Sequence, residues 1–375
     1  MKPGSVGQKN IRLYLEECSM KRQSGAHFLV TLAALVVLLE CNLLAFDAHA
    51  QSQGDWIDVH FHLIADKGNL ESFDEAASTA LQIMDTERIR TIIVMSPPRP
   101  RENFDIESLA DIVKKSGPRI VMFGGGGSLN PMLQEAGKSP EVSEGVRRRF
   151  EETAQSIIAN GAMGFGEITA HHVSLSPSHG YESVPADHPL LLLLADIAAQ
   201  HDVPIDLHFD PVPVDVEKPP NLSSPRNPAV LKANLGGFER LLAHNRKAKI
   251  VWAHAGADPV GYFTPRLVRE LLGRHSNLAL SIRPTAPFPG SMVHPNGAIN
   301  DDWIAALRDF PDRFVIGSDS FVVAKAYTGA EAPRIFEQRS EIQRRGIRRL
   351  LSHLPAELAR RIGYENAERL YRLNH

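Results

Sequence analysis

Trp56-Ile57-Asp58-Val59-His60-Phe61-His62 is the stretch on which the reading of this chain turns. An apolar run opens it, and two histidines two residues apart close it. In a β-strand, residues two apart share a face, so two imidazoles at a strand end can grip one metal ion. The spacing alone carries little weight. With 16 His in 375 residues, chance supplies roughly one such pair. Its position at the end of an apolar run gives it meaning.

Working outward, the same kind of short apolar run returns along the chain. Strands are predicted at 56–61, 91–96, 119–123, 162–168, 204–208, 249–253, 278–282 and 314–317, rich in Val and Ile and bounded by Gly, Pro, Asp or Asn. Between them lie amphipathic stretches with helical spacing, at 73–88, 144–160, 189–202, 234–247, 264–275, 300–309 and 333–352. Eight strands alternating with helices predict an α/β fold, a single-domain (β/α)8 TIM barrel, over a doubly wound open sheet. The segment 211–228, rich in Pro, Asn and Ser, reads as a long irregular loop, either a lid or a surface insertion. Residues 353–375 form a helical tail.

In such barrels active sites gather where strands end. The expected ends of the fourth, fifth, sixth and eighth strands are Glu167, His208, His254 and Asp319, each a metal-ligand or proton-carrier type. A single strand-end histidine is more often a hydrogen-bonded structural residue. Four such residues on four strands, following His60 and His62, point to a site. His171 and His172 are placed on the loop after strand four, where surface exposure competes with substrate contact. Arg283, just past strand seven, suits a carboxylate on the substrate, since its planar fork matches one. Arg99 and Arg101 are weaker versions of the same idea. Gly124 to Gly127 resembles a phosphate loop but lacks the following Lys and Ser/Thr, and reads as a flexible turn.

This set of strand-end residues resembles the amidohydrolase superfamily. In particular it resembles the amidohydrolase-related group (family 2), which includes aminocarboxymuconate-semialdehyde decarboxylase and related decarboxylases and lactone hydrolases. The tail Gly363-Tyr364-Glu365-Asn366-Ala367 is similar to that group's closing segment, and the resemblance covers about residues 56–370. It implies that His60, His62, His208 and Asp319 hold a divalent metal, with zinc suited to three imidazoles and a carboxylate. It further implies that Asp319 orients or deprotonates a water and that His254 is a general acid/base. Glu167 either bridges two metals, with His208 and His254 on the second, or is a buried acid in a one-metal site. The leading expectation is a metal-dependent hydrolase that cleaves an amide, ester or lactone of a small carboxylate-bearing substrate with metal-activated water. Arg283 and His172 are its substrate-binding residues. The alternatives are a non-oxidative decarboxylase of an unsaturated or aromatic acid, and a barrel that binds metal or ligand without chemistry.

The rest of the chain bounds these readings. A formal net charge of −3 gives no reason to expect nucleic acid or an acidic membrane surface as a partner. Residues 1–50 read as a signal peptide. Lys21 and Arg22 precede the apolar run Phe28 to Leu39, and Ala48-His49-Ala50 is a small-x-small cleavage signature. Translation from Met20 would remove the unsuitable Glu16 and Glu17. An uncleaved anchor through Phe46 is the competing reading, and Glu40 argues against lipidation at Cys41. The expected product is a secreted or periplasmic domain, residues 51–375, without a stable membrane anchor and free to form homo-oligomers. Both cysteines, Cys18 and Cys41, would be lost with the signal, so His, Asp and Glu must hold any metal.

Overall fold

Apolar runs that are buried on both faces belong to parallel strands covered by helices, and the leading strand is of that kind. In the computed structural model β1 (Trp56–Ile64) is buried along its whole length. The structure describes residues 55–373, apart from 67–69, 98–105, 140, 178, 286–287, 289, 295, 326 and 328–332. The expected signal segment and Arg99 and Arg101 lie outside the described residues. The described residues belong to one unit, Gln53–His375.

The strands that follow are β2 (Ile89–Val94), β3 (Ile120–Met122), β4 (Gly124–Gly125), β5 (Phe165–His172), β6 (Glu182–Ser183), β7 (Pro204–Phe209), β8 (Val216–Glu217), β9 (Val230–Leu231), β10 (Lys249–Ala255), β11 (Leu278–Ile282), β12 (Phe314–Ile316) and β13 (Ser320–Val323). The hydrogen-bonded path runs β3-β2-β1-β12-β11-β10-β7-β5-β4, and every pair along it is parallel. Its two ends, β3 and β4, are separated by Phe123 alone. Phe123 N–H donates to the Val94 carbonyl on one side, and Gly124 N–H donates to the Gly164 carbonyl on the other. This is a mixed α/β fold on a mainly parallel sheet, consistent with the expected barrel.

Helices Leu70–Glu87, Glu144–Ala159, Pro189–His201, Leu235–His244, Pro265–Arg274, Asp301–Asp309 and Pro333–His353 match the predicted amphipathic stretches. Ile106–Ser116 and Leu129–Ala136 are further helices that the sequence reading left out. The larger core lies between sheet and helices. A smaller one joins Ile57, Val59, Ile93, Val121, Val251, Ala279 and Val315 from six strands, with Tyr371 of the C-terminal helix packed against them.

Three local expectations are corrected. Glu167 does not end its strand. β5 runs on to His172 because His171 and His172 pair antiparallel with Ser183 and Glu182. Both histidines are buried, so the loop placement and surface exposure expected for them do not hold. Gly124-Gly125 is no flexible turn but the strand that pairs with Phe165 and Gly166. A Cβ on Gly126 would fall 2.1 Å from the Ser96 carbonyl oxygen, so this glycine permits a close backbone approach. From the segment 211–228, β8 pairs with β9 just beyond it to form a small antiparallel ribbon.

Candidate metal centre

The side chains of interest come from parallel strands or the residues just after them. His60 and His62 lie on β1, Glu167 on β5, His208 on β7 and His254 on β10, with Arg283 just past β11 and Asp319 between β12 and β13. His254 and Asp319 have φ of 69° and 54°. The left-handed region costs a residue with a Cβ about 1 kcal/mol or more, and such strain collects at sites the surrounding fold over-determines. Here it turns both side chains off their strands toward a common point.

The two leading histidines have fixed tautomers. His62 Nδ1 donates to the Met95 carbonyl at 3.0 Å, and His60 Nδ1 donates to Asp206 Oδ2 at 3.2 Å. Carbonyl and carboxylate only accept, so both Nε2 atoms carry lone pairs in the neutral rings. These two atoms lie 3.2 Å apart. Asp319 Oδ1 is 3.3 Å from His62 Nε2 and 3.9 Å from His60 Nε2. Glu167 Oε2 approaches the same nitrogens at 3.8 and 3.6 Å. Two facing lone pairs and two carboxylate oxygens repel one another unless a proton or a metal cation lies among them. Ligands about 2.0–2.1 Å from a tetrahedral zinc stand roughly 3.3 Å apart, close to these separations. The residues therefore fit a divalent metal, and His60, His62 and Asp319 form one of the groups able to hold it.

His208 is not drawn into that triangle. Its Nδ1 donates to Glu167 Oε1 at 2.8 Å, and its Nε2 faces Asp210 Oδ2 at 3.7 Å. His254 Nε2 lies 3.3 Å from Glu167 Oε1, and its buried Nδ1 has no hydrogen-bond partner. Glu167 thus presents one oxygen to the His60–His62 pair and the other to His208 and His254. His172 packs on the ring of His208, centroids 4.2 Å apart, and reaches Asp210 Oδ2 at 3.6 Å. Arg283 Nε stands 3.3 Å from Asp319 Oδ2, outside hydrogen-bond geometry.

The protonation preferences of these side chains follow from this crowding. Burial raises the Asp319 carboxyl, but Arg283 and the imidazoles of His62, His254 and His60 outweigh it and hold the group well below the carboxylate range. Glu167 is likewise held low by His208, His254 and His60 against the opposing effect of burial. Burial lowers His60 and His208, yet Asp206 and Glu167 hold His60 well above its ordinary value, and Asp210 and Glu167 bring His208 up to about 10. For His254 burial prevails and takes the imidazole down to about 4.

Two acids that the sequence reading did not single out serve this cluster. Asp206 backs His60, and Asp210 backs His172 and His208. Their signal was present as a spacing: Asp206-x-His208-x-Asp210 repeats the two-residue interval of Asp58-x-His60-x-His62 on one strand.

Among solved structures, the chain is similar to 2,6-dihydroxybenzoate decarboxylase from Rhizobium, at 14% identity over 86% of this chain and 99% of that one, TM-score 0.46. It is similar to a putative amidohydrolase from Staphylococcus aureus, at 16% identity over 85% and 100%, TM-score 0.42. A third is a probable 2-pyrone-4,6-dicarboxylic acid hydrolase from Acinetobacter baumannii with citric acid bound, at 11% identity over 84% and 98%, TM-score 0.45. No curated protein matches the chain. The sequence profile of the amidohydrolase family matches residues 57–373, and the chain belongs to that family.

Proposed function

We propose that this protein is a metal-dependent hydrolase acting on an amide, ester or lactone bond of a small substrate that carries a carboxylate. The observation behind the reading is the meeting of His60 Nε2, His62 Nε2, Asp319 Oδ1 and Glu167 Oε2 with Arg283 beside them. His60, His62 and Asp319 would hold the metal, zinc by ligand type, with Glu167 beside them. When bound, such an ion acts as a Lewis acid and lowers the pKa of a coordinated water toward 7.

The chain's own groups do the rest. Asp206 and the Met95 carbonyl lock the two imidazoles in the ligating tautomer. Asp319 stays ionised, so its carboxylate can accept a proton from the attacking water. His254, neutral at pH 7, offers an uncharged ring to polarise a carbonyl or relay a proton. Arg283 anchors the substrate carboxylate bidentately. Export through residues 1–50 belongs to the same proposal, and mass spectrometry should find the mature chain starting at Gln51.

Arg283 beside Asp319 also favours a second reading, in which the anchored carboxylate is itself lost as carbon dioxide. A panel of carboxylate-bearing lactones, esters, amides and aromatic acids, assayed for acid release and for carbon dioxide, separates the two. Hydrolysis predicts acid release without carbon dioxide, reduced about 10²–10⁴-fold or more in H60A and D319A, in line with the loss of a proton-transfer or ligating group. Full turnover by H60A at full metal content would sink the proposal.

A further inference from the structure

Beyond the His60–His62–Asp319 triangle lies a second set of facing acceptors. His172, His208 and Asp210 each offer one ligand atom, all within 4.8 Å of one another, and all three residues are buried. In the neutral ring, with the His208 Nδ1 proton on Glu167 Oε1, Nε2 presents a lone pair toward Asp210 Oδ2 at 3.7 Å. His172 Nε2 meets His179 Nε2 at 3.1 Å. With the His172 proton in that contact, Nδ1 presents its lone pair to the same Asp210 oxygen at 3.6 Å. This Nδ1 is buried and has no hydrogen-bond partner, which a polar atom at this depth rarely lacks.

The carboxylate is held in place by groups outside the triad. Asp210 Oδ2 accepts from Val173 N–H at 2.8 Å. The Asp210 carbonyl accepts from His171 Nδ1 at 2.7 Å and from Asn234 Nδ2 at 2.9 Å. Asp210 N–H donates to the His171 carbonyl at 2.9 Å. The His208–Asp210 and His172–Asp210 separations, 3.7 and 3.6 Å, exceed the roughly 3.3 Å edge of a tetrahedral zinc site by only a few tenths of an ångström.

We infer that His172, His208 and Asp210 form a second divalent-cation site, joined to the first through Glu167, and that His254 is not among its ligands. Two imidazoles and one carboxylate suit zinc or manganese and leave a position open. The inference stands whether or not the first site turns over a substrate.

The test is metal stoichiometry of the full chain, stripped with chelator and titrated with Zn²⁺ by calorimetry, with Co²⁺ absorption as a second readout. The expected result is two equivalents for the parent, one for H172A and for D210N, and two for H254A. D210N keeps an oxygen for the Val173 N–H and so guards against misfolding, which circular dichroism checks. H60A/H62A should retain the one equivalent of the His172–His208–Asp210 site, so a failed first site is told apart from a failed second. A parent that binds one equivalent would leave only a proton on His208 between its two carboxylates, and would overturn the inference. Loss of the second equivalent in H254A with its retention in D210N would also overturn it, placing the ion on Glu167, His208 and His254.

Discussion

In the candidate site, His60 and His62 each rest on the atom behind them. Asp206 holds His60 by its Nδ1 proton, and loss of such a partner typically weakens metal binding 10–100-fold. D206N, which can present its amide NH₂ in place of an acceptor, should therefore lower Zn²⁺ affinity about 10–100-fold in a chelator competition while the circular dichroism spectrum is kept. Unchanged affinity would show that Asp206 does not set the tautomer. Glu182 makes a separate prediction. Burial pushes its carboxyl up to about 7, with Asn130 and Thr169 opposing. A carboxyl whose pKa is higher in the folded chain contributes stability that is complete below its unfolded value, near 4.5, and is lost as pH climbs through about 7. E182Q lacks this loss. Its melting temperature relative to the parent should rise between pH 5 and pH 8, and a constant or falling difference would contradict the burial argument. The residues of the candidate site were legible because ligation demands His, Asp or Glu at or near strand ends. Asp206 and Asp210 were not, because an acid that supports a ligand looks in sequence like any buried or capping acid.

At the scale of elements, the strands were read well where an apolar run is broken by Gly, Pro or Asp. They were misread where polar residues continue a strand. His171 and His172, which the sequence reading placed in a loop, continue the strand; pairing with Glu182–Ser183 and burial keep it extended. The break between β12 and β13 is sensitive to volume. A Cβ at Gly317 would lie 2.8 Å from Ser281 Cβ and 3.0 Å from His60 Cβ. G317A should cost about 1–3 kcal/mol, the usual cost of overpacking a tight core, read as a lowered urea midpoint. It should also weaken metal binding, because the clash bears on β1 at His60. A variant as stable as the parent and with full metal affinity would mean that the two strands slide apart without consequence.

For the whole molecule, a metal that binds only the folded chain stabilises it by RT ln(1 + [L]/Kd), about 2.7 kcal/mol at a hundredfold excess over Kd. Chelator treatment should therefore lower the melting temperature, and added Zn²⁺ or Mn²⁺ should restore it in a concentration-dependent way. A melting curve indifferent to both would remove the metal from the fold's energetics. Alternation of strand and helix made the overall architecture visible in the sequence, since each strand must be covered. The way the sheet closes was not visible, because it depends on two glycines after Phe123 that a propensity reading takes for a turn. That closure has a consequence in time. β1 pairs with β12 and β13, and Asp319 N–H donates to the His60 carbonyl. A growing chain thus holds His60 and His62 from its first strand onward, yet meets their partner only after more than two hundred further residues have left the ribosome. Until then the first strand has one bare edge. Any nascent chain stopped before Asp319 carries half a metal grip and an open seam, and is the form that holdase chaperones and proteases would meet.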